Sequence, residues 1–286
     1  MASPKTVLIW LKGKKILISY NETMTDFSVT KGNYMEILTY GKGERLLTCS
    51  SAVAEGCSGD CRIIILPIPT TKDGVTVFGT ETPLFEVVSQ VESGTLVAGY
   101  GIPDNVADGI SKAGGFIYDG SLDEKFVSDN AELTAIGTVG WLLTNVGVAP
   151  SELSFGIIGY GRIGKRLIRH LLFLGAKVRL YTSSAVAKSV FSEMGIDVRD
   201  YRSSCDYSGL DILINTAPAS IFSQKMKEKN PLLTVIDLAS GSYLSDIDGL
   251  VKLPSVPEKY FAKSAGRLYA QRILERTLDG CGEAEL

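Results

Sequence analysis

The chain has 286 residues, of which 45% are apolar, and this length and composition predict a globular protein of about two domains. Its 29 basic and 32 acidic residues leave a formal net charge of −3, which excludes a broad basic surface for nucleic acid. No apolar run reaches the roughly 18 residues of a membrane span, and lysines interrupt the apolar start of the chain. We therefore expect a cytoplasmic protein without membrane contact.

The cysteines indicate a reducing compartment. They stand at positions 49, 57, 61, 205 and 281, an odd number without the spacing of a disulfide framework. Cys57 and Cys61 have a spacing that a metal can use, but the single histidine, His170, lies far along the chain. The sequence therefore predicts reduced thiols and no metal site.

The first half of the chain shows a faint alternation of strands and helices. Apolar runs predict strands at residues 15–19, 62–66, 95–99 and 115–118, whereas residues from about 21 to 60 follow no pattern that orders them. Apolar residues at helical spacing predict a long helix over 129–144, which ends before Gly147 and Pro150. We place a smaller, flavodoxin-like α/β domain at 1–147, joined by this helix to a second domain.

A glycine-rich turn follows the first strand of the second domain. An apolar run from Phe155 to Ile158 enters G-x-G-x-x-G, and a helical stripe leaves it. Glycines at this spacing allow a tight turn, approach of the backbone to a pyrophosphate, and close packing of the helix on the sheet. The helix N-terminus adds N–H donors and a partial positive charge. The pattern predicts that a dinucleotide binds at Gly159, Tyr160, Gly161, Arg162, Ile163 and Gly164.

Strands and helices alternate beyond this turn. Strands are predicted at 154–158, 177–181, 211–215 and 232–238, with a helix over 185–194. This alternation is typical of a Rossmann-type, doubly wound parallel sheet that is buried on both faces. We assign it to residues 148–263. A last helical pattern over 264–278 predicts that residues 264–286 pack back on the first domain.

The end of the second strand in this fold distinguishes NAD from NADP, because an acidic residue there binds the ribose 2′-hydroxyl. This chain has Thr182, Ser183 and Ser184 at that point, without a carboxylate, and Lys188 lies one turn later. These four residues favour NADP, with NAD as the alternative. The same hydroxyls would serve equally well as ordinary helix caps.

Ligands of open α/β sheets collect at the carboxyl ends of the strands, where two further segments are expected to meet the cofactor. These segments supply Asn215, Thr216, Ala217 and Pro218 beside the ribose and nicotinamide, and Asp237 and Leu238 near the nicotinamide ring. Asp237 can equally be a structural residue that accepts hydrogen bonds from backbone N–H groups.

Several separate motifs along the chain match one known family in order and spacing, and a shared dinucleotide-binding fold alone would not explain the matches in the first half. In the second half they are INTAP at 214–218, VIDLAS at 235–240 and KSAG at 263–266. In the first half they are IILPIP at 64–69, DGV at 73–75, and Asn130 followed by TAIGT at 134–138. Together these motifs, which span about residues 60 to 280, resemble the family of the A subunit of dipicolinate synthase.

The resemblance implies a two-domain, D-2-hydroxyacid-dehydrogenase-like protein that oxidises a dihydrodipicolinate-type precursor to dipicolinate with NADP. It also implies that the partner is a flavoprotein-like B subunit, in the mother cell of a sporulating bacterium, and we expect a homo-oligomer. A dicarboxylate substrate needs cations and hydroxyls, and a base must take one proton. The residues we place there are Lys263, Arg267, Ser240 and Ser242, with Asn130 either orienting a substrate carboxylate or capping the joining helix.

The chain departs from the family pattern at four places. Ile136 replaces an acid, with Glu132 one turn earlier as a substitute, and Ser183 replaces an arginine. Residues 241–244 (GSYL) replace Arg-Pro-Gly-Gly. Residues 19–22 (SYNE) stand where the family opens its first domain with a glycine-rich turn and an arginine.

Two other functions remain open. A D-2-hydroxyacid dehydrogenase would use an imidazole for proton transfer, and His170 lies on the helix after the glycine turn, which is the wrong element for that role. A non-catalytic dinucleotide-binding or assembly subunit would keep the turn and lose its substrate groups. The departures at Ile136, Ser183 and Tyr243 favour this second alternative.

Overall fold

The computed structural model describes residues 5–11, 14–20, 28–31, 35–57, 61–202, 206–239, 241, 243–244 and 246–282. The chain divides into two compact units, one of residues 1–129 with 262–286 and one of residues 130–261. Among the described helices, none has the length and apolar character that crossing a membrane requires.

A mixed sheet forms the centre of the first unit, and its strands follow one another in chain order. They are β1 (Lys5–Leu11), β2 (Lys14–Tyr20), β3 (Ser28–Lys31), β4 (Met35–Thr39), β5 (Cys61–Ile65), β6 (Leu96–Gly99) and β7 (Phe116–Asp119). Pairing is antiparallel from β1 to β4 and parallel from β4 to β7. The unit is α/β as predicted, with a sequential strand order that differs from the 2-1-3-4-5 order of a flavodoxin sheet.

Helices cover both faces of the parallel strands. They are α1 (Glu44–Gly56), α2 (Leu84–Ser89), α3 (Asp104–Lys112), the first turns of α4 (Glu124–Asn145) and most of α8 (Val256–Gly282). Side chains alternate along a strand, so Ile63 and Ile65 pack with α1 and α8, whereas Ile64 packs with α2 and α3. This burial on both faces explains why β5 reads as an unbroken apolar run.

The α4 helix begins earlier than the sequence pattern indicated. Asp123 caps it, because its Oδ1 accepts a hydrogen bond from the Phe126 N–H at 3.0 Å. Asn130 lies more than a turn inside the helix, so the alternative that Asn130 caps it is wrong. The first unit ends at Asp129, rather than at residue 147, because Ala135, Val139 and Leu142 pack into the core of the second unit.

The second unit is a parallel sheet with strand order β10-β9-β8-β11-β12-β13. Its elements are β8 (Ser154–Ile158), α5 (Arg162–Phe173), β9 (Lys177–Tyr181), α6 (Ala185–Glu193), β10 (Asp197–Arg199), β11 (Ile212–Asn215), α7 (Gln224–Lys227), β12 (Thr234–Asp237) and β13 (Val251–Lys252). Counted from β8, this order is the 3-2-1-4-5-6 arrangement of a dinucleotide-binding sheet. The predicted Rossmann-type fold is confirmed, and β8 and β11 flank the point where the strand order reverses.

Candidate functional site

The turn between β8 and α5 has the geometry that the glycine spacing predicts. Gly159 has a φ of +99°, a backbone conformation that side chains disfavour, and a Cβ on it would lie 2.8 Å from Thr216 Oγ1. A Cβ on Gly164 would overlap the carbonyl oxygen of Gly159. These two glycines let the turn, the helix and the β11 end pack closely together.

Gly161 differs from the other two glycines. It is the N-cap of α5, and a Cβ built on it would meet no described atom within 4 Å. The first N–H groups of a helix have no acceptor within that helix, and here the cap residue has no side chain to supply one. The space beside Gly161 and Arg162 is therefore an exposed, electropositive helix end of the kind that binds phosphate.

Two half-buried side chains, Tyr160 and Ile163, flank this helix end. Tyr160 packs its ring edge-to-face on Phe191 of α6, with ring centroids 5.1 Å apart, and the Lys165 ammonium lies 4.7 Å from its centroid. Ile163 packs against the core of the unit. The predicted residues Tyr160 and Ile163 thus shape the turn through packing.

The loop after β9 contains the hydroxyls expected to select the cofactor. Thr182 is buried, and its Oγ1 accepts a hydrogen bond from the Ser184 N–H. Ser184 is the N-cap of α6, where its Oγ accepts a hydrogen bond from the Ala187 N–H. Lys188 binds Asp200, with Nζ 2.5 Å from Oδ2. These three residues therefore have structural partners, and Ser184 has the capping role that the sequence left open.

Ser183 connects this loop to the next one. Its Oγ accepts a hydrogen bond from the Tyr201 hydroxyl at 2.9 Å, and its carbonyl accepts one from Arg202 Nη2 at 3.1 Å. Both partners follow β10, a strand that the sequence analysis did not predict. Arg202 is thus a cation beside the predicted 2′ position that sequence reasoning missed.

The ends of β11 and β12 are joined by a buried polar pair. Asn215 Nδ2 donates to Asp237 Oδ1 at 2.9 Å, and both side chains are buried. The same carboxylate oxygen accepts a hydrogen bond from the Ala239 N–H, and Asn215 also bonds with the backbone of Ala217. Asp237 therefore accepts a hydrogen bond from a backbone N–H group, which is the structural role named as one of its two alternatives. Asn215 positions the turn that leads to the exposed Pro218. Leu238 is buried at the same edge.

The residues predicted to bind substrate divide between the two units. Lys263 and Arg267 lie on α8 in the first unit, and Asn130 lies on α4 in the second. Lys263 is exposed and pairs with Glu44 at 3.4 Å, and Arg267 is exposed. Ser240 and Ser242 lie outside the described residues.

A glycine-rich turn with an arginine, which residues 19–22 lack, follows β4. Gly41 and Gly43 lead from β4 into α1, and Gly43 is its N-cap with a φ of +122°. Arg45 lies in the first turn of α1, is only 6% exposed, and has its guanidinium 6.0 Å from the Phe126 ring centroid. A strand, a glycine turn and an apolar helix at 35–56 are the signal that could have found it.

The α8 helix is held directly against this turn. A Cβ on Gly266 would overlap the carbonyl oxygen of Arg45 and lie 2.8 Å from Thr48 Cβ, so the backbones of α8 and α1 touch there. This close approach explains the glycine of the motif at 263–266, and it places Lys263 beside Glu44.

Glu132 does not substitute for the acid that Ile136 replaces. Its carboxylate binds three side chains of α5: Arg166 Nε at 3.0 Å, Arg169 Nη2 at 3.3 Å and His170 Nε2 at 2.7 Å. This cluster ties α4 to the helix of the glycine turn. His170 therefore contributes to the contact between α4 and α5.

A cavity elsewhere in the second unit and the grouping of possible metal ligands bear on where a ligand can bind. A cavity of about 400 Å³ lies at the amino-terminal ends of the strands, lined in part by Leu153, Asp211 and Thr234. Ligands of such sheets bind at the opposite, carboxyl ends. Within the described part of the chain, no three His, Cys, Asp or Glu residues are grouped so that they could hold a metal.

Comparison with known proteins shows what this architecture resembles. No protein-family model and no curated protein matches the sequence. The A subunit of dipicolinate synthase from Bacillus halodurans matches with a TM-score of 0.70 and 19% identity, over 85% of this chain and 97% of that one. The corresponding polypeptide of dipicolinate synthase from Bacillus subtilis matches with a TM-score of 0.70 and 20% identity, over 92% and 100%. The chain has the fold of the A subunit of dipicolinate synthase.

A dehydrogenase structure is also similar. The NAD complexed form of a D-isomer specific 2-hydroxyacid dehydrogenase from Lactobacillus delbrueckii ssp. bulgaricus matches with a TM-score of 0.50 and 12% identity, over 87% of this chain and 97% of that one. At these identities the likeness concerns the fold. The resemblance drawn from the sequence motifs is confirmed at that level.

Proposed function

We propose that this chain is an oxidoreductase subunit that oxidises a dihydrodipicolinate-type precursor to dipicolinate with NADP. The observation that carries the proposal is the turn at Gly159, Gly161 and Gly164. It lies at the reversal point of a 3-2-1-4-5-6 sheet and opens a space beside a helix end. The likeness of the whole fold to the A subunit of dipicolinate synthase supports the choice of substrate.

The residues of the turn fit a bound dinucleotide. The α5 N–H groups would bind the pyrophosphate, and the Asn215–Asp237 pair would keep the β11 and β12 ends in place beside it. Such a cofactor, when bound, accepts one hydride from the substrate ring. The remaining proton must go to a base, and aromatisation of the dihydropyridine ring then yields dipicolinate.

The first unit offers groups that suit a dicarboxylate. The Gly41–Gly43 turn exposes the N-terminus of α1 at the carboxyl end of β4, and Arg45 follows in its first turn. A carboxylate favours both the helix N-terminus and a guanidinium. We assign the binding of one substrate carboxylate to this turn, and we retain Lys263 on the adjacent helix as a second cation.

The proposal includes partners and an alternative. Self-association and a flavoprotein-like B subunit belong to the proposal through the family resemblance. A non-catalytic dinucleotide-binding subunit is the alternative, and the solvent exposure of Lys263 and Arg267 favours it.

The test is a direct assay with a binding control. Freshly made dihydrodipicolinate and NADP are mixed with the purified protein, alone and with a flavoprotein-like subunit from the same source, and dipicolinate absorbance is followed. We expect a rate above that of the uncatalysed oxidation, together with calorimetric binding of the dinucleotide. Binding without any rate increase in either mixture supports the non-catalytic alternative, and absence of dinucleotide binding overturns the proposed function.

A further inference from the structure

We propose that Arg202, together with the Ser183 hydroxyl, is the group that selects a 2′-phosphorylated dinucleotide. This inference rests on the proposed function, because it presupposes that the turn at Gly159–Gly164 binds a dinucleotide. It assigns cofactor choice to a residue that follows β10, the strand next to the one that normally decides it.

The geometry brings two loops together at the predicted 2′ position. The residue after the second strand of this fold lies beside the ribose hydroxyls. In this chain that position is taken by Thr182 and Ser183, and the Tyr201 hydroxyl and Arg202 Nη2 both bind Ser183. The guanidinium therefore lies against the segment that a 2′-substituent would meet.

The local charge also favours an added phosphate. Asp200 is a carboxylate that contacts both cations: its Oδ2 lies 2.5 Å from Lys188 Nζ and its Oδ1 lies 3.5 Å from Arg202 Nε. The hydrogen bond from Lys188 lowers the pKa of Asp200, which favours its charged form. This one negative charge lies beside two positive charges, those of Lys188 and Arg202. The Asp200 carboxylate is thus engaged, and the excess positive charge suits a phosphate better than a neutral hydroxyl.

Arg202 is able to make a further contact. Its side chain is 64% exposed, and a guanidinium has five N–H donors. Its contacts with Ser183 and Asp200 orient the group. Bidentate binding of a phosphate is the geometry for which arginine is best suited.

The experiment measures the dissociation constants of NADPH and NADH by calorimetry for the parent and for Arg202→Gln. We expect NADPH to bind about 10- to 100-fold more weakly to the variant, because a charge-assisted hydrogen bond is lost, with NADH changed less than about twofold. Arg199→Gln is the matched control, since the Arg199 Nε binds Asp197 Oδ1 at 2.7 Å on the same strand, and it should leave both constants unchanged.

Each outcome decides the inference. A parent that prefers NADH, or an Arg202→Gln variant that weakens both cofactors equally or neither, overturns it. A parent that binds neither dinucleotide overturns the proposed function instead. If Arg202→Gln fails to fold, Ser183→Asp replaces it, and this variant should weaken NADPH binding because its carboxylate repels a 2′-phosphate.

Two cysteine side chains lie side by side in the first unit. We infer that Cys57 and Cys61 are a thiol pair that closes to a disulfide. Their Sγ atoms are 2.8 Å apart. This distance is shorter than the normal contact of two unbonded sulfurs and longer than an S–S bond. Cys57 ends α1 as its C-cap, and Cys61 begins β5, so closure joins two adjacent elements with little movement.

Formation of the Cys57–Cys61 disulfide needs an external oxidant, such as hydrogen peroxide or a small disulfide. Two thiols and one molecule of hydrogen peroxide give one disulfide and two molecules of water, and a small disulfide such as oxidised glutathione gives the same bond with release of two thiols. Cys61 is half-buried, which gives such reagents access, whereas Cys57 is 8% exposed. Under reducing conditions both remain thiols.

Intact mass, thiol titration and peptide mapping test this pair after treatment with a small excess of oxidised glutathione. We expect the parent to lose about two titratable thiols and to yield a peptide linking Cys57 to Cys61. Cys57→Ser should not form this link. Cys49→Ser is the control and should form it normally, because Cys49 is fully buried, which raises its thiol pKa. Mixed glutathione adducts on both cysteines without the link would overturn the inference.

Discussion

A Gly161→Ala variant is expected to fold like the parent and to lose dinucleotide affinity by about tenfold or more. Gly161 has φ −80° and ψ −168°, extended backbone that alanine adopts without strain. Its added methyl group would meet no described atom within 4 Å, so the free energy of unfolding should change by less than about 1 kcal/mol, the usual difference between glycine and alanine at an N-cap. The methyl group would instead occupy the space through which a pyrophosphate approaches the N–H groups of α5. Calorimetry with NADPH and NADH, beside thermal unfolding, checks both parts.

Gly164→Ala is the matched variant with the opposite pattern. Its Cβ would overlap the carbonyl oxygen of Gly159, which is backbone and cannot turn away. We expect a loss of stability of about 1–3 kcal/mol, accompanied by weaker binding. If Gly161→Ala binds both dinucleotides as tightly as the parent, the turn does not hold the pyrophosphate and the cofactor site lies elsewhere.

Asp123→Ala is expected to lower the free energy of unfolding by about 3–5 kcal/mol, because it removes the buried one of the two carboxylates that bind the Arg272 guanidinium. The Asp123 side chain is 6% exposed and lies 2.7 Å from Arg272 Nε, whose side chain is 16% exposed. The same carboxylate accepts hydrogen bonds from the Tyr118 hydroxyl and the Phe126 N–H. The substitution therefore removes a helix cap and an ion pair that joins α8 to α4. Urea unfolding followed by circular dichroism measures the loss.

The control for this prediction is Glu275→Gln. Glu275 also binds Arg272, but its side chain is 40% exposed, and such a pair contributes less than about 1 kcal/mol. A loss in Glu275→Gln as large as that in Asp123→Ala would mean that burial of the Asp123 pair is not what stabilises this unit.

The Asp123 contribution should also depend on pH, with a definite sign. Burial raises the pKa of its carboxyl, but the hydrogen bonds from Arg272, Phe126 and Tyr118 outweigh burial, and the net pKa lies below the ordinary value of 3.8. A carboxyl whose pKa is lowered by folding stabilises the protein above its ordinary pKa and loses that effect as pH falls through the folded-state value. The difference between parent and Asp123→Ala should thus be constant near neutral pH and shrink below about pH 4. A difference that stays constant into acid would contradict it.

The local sequence pattern predicted the strands and helices of the second unit well. The strand from Ser154 to Ile158, the glycine turn and the helix from Arg162 are adjacent in the chain, and each step is governed by burial period and backbone freedom. The first unit was harder to predict from its sequence. Three antiparallel strands precede β4, and their pairing depends on contacts that no local period reveals. For that reason the sequence analysis did not predict the turn with Arg45.

The functional side chains show the same division. Their types and spacing were enough to predict a dinucleotide turn and a loop without a carboxylate after β9. Only the tertiary structure paired Lys188 with Asp200, Asn215 with Asp237, and Glu132 with the helix of the glycine turn. It also brought Arg202 to Ser183 from a strand that has no strong sequence pattern.

The sequence by itself determined a doubly wound dinucleotide fold and its glycine turn, because period, turn and helix start are properties of consecutive residues. The tertiary structure decided which polar groups are engaged, because a side chain's partner lies on another strand or helix. It paired Lys188 with Asp200, brought Arg202 to Ser183, and buried Arg45 in the first turn of α1.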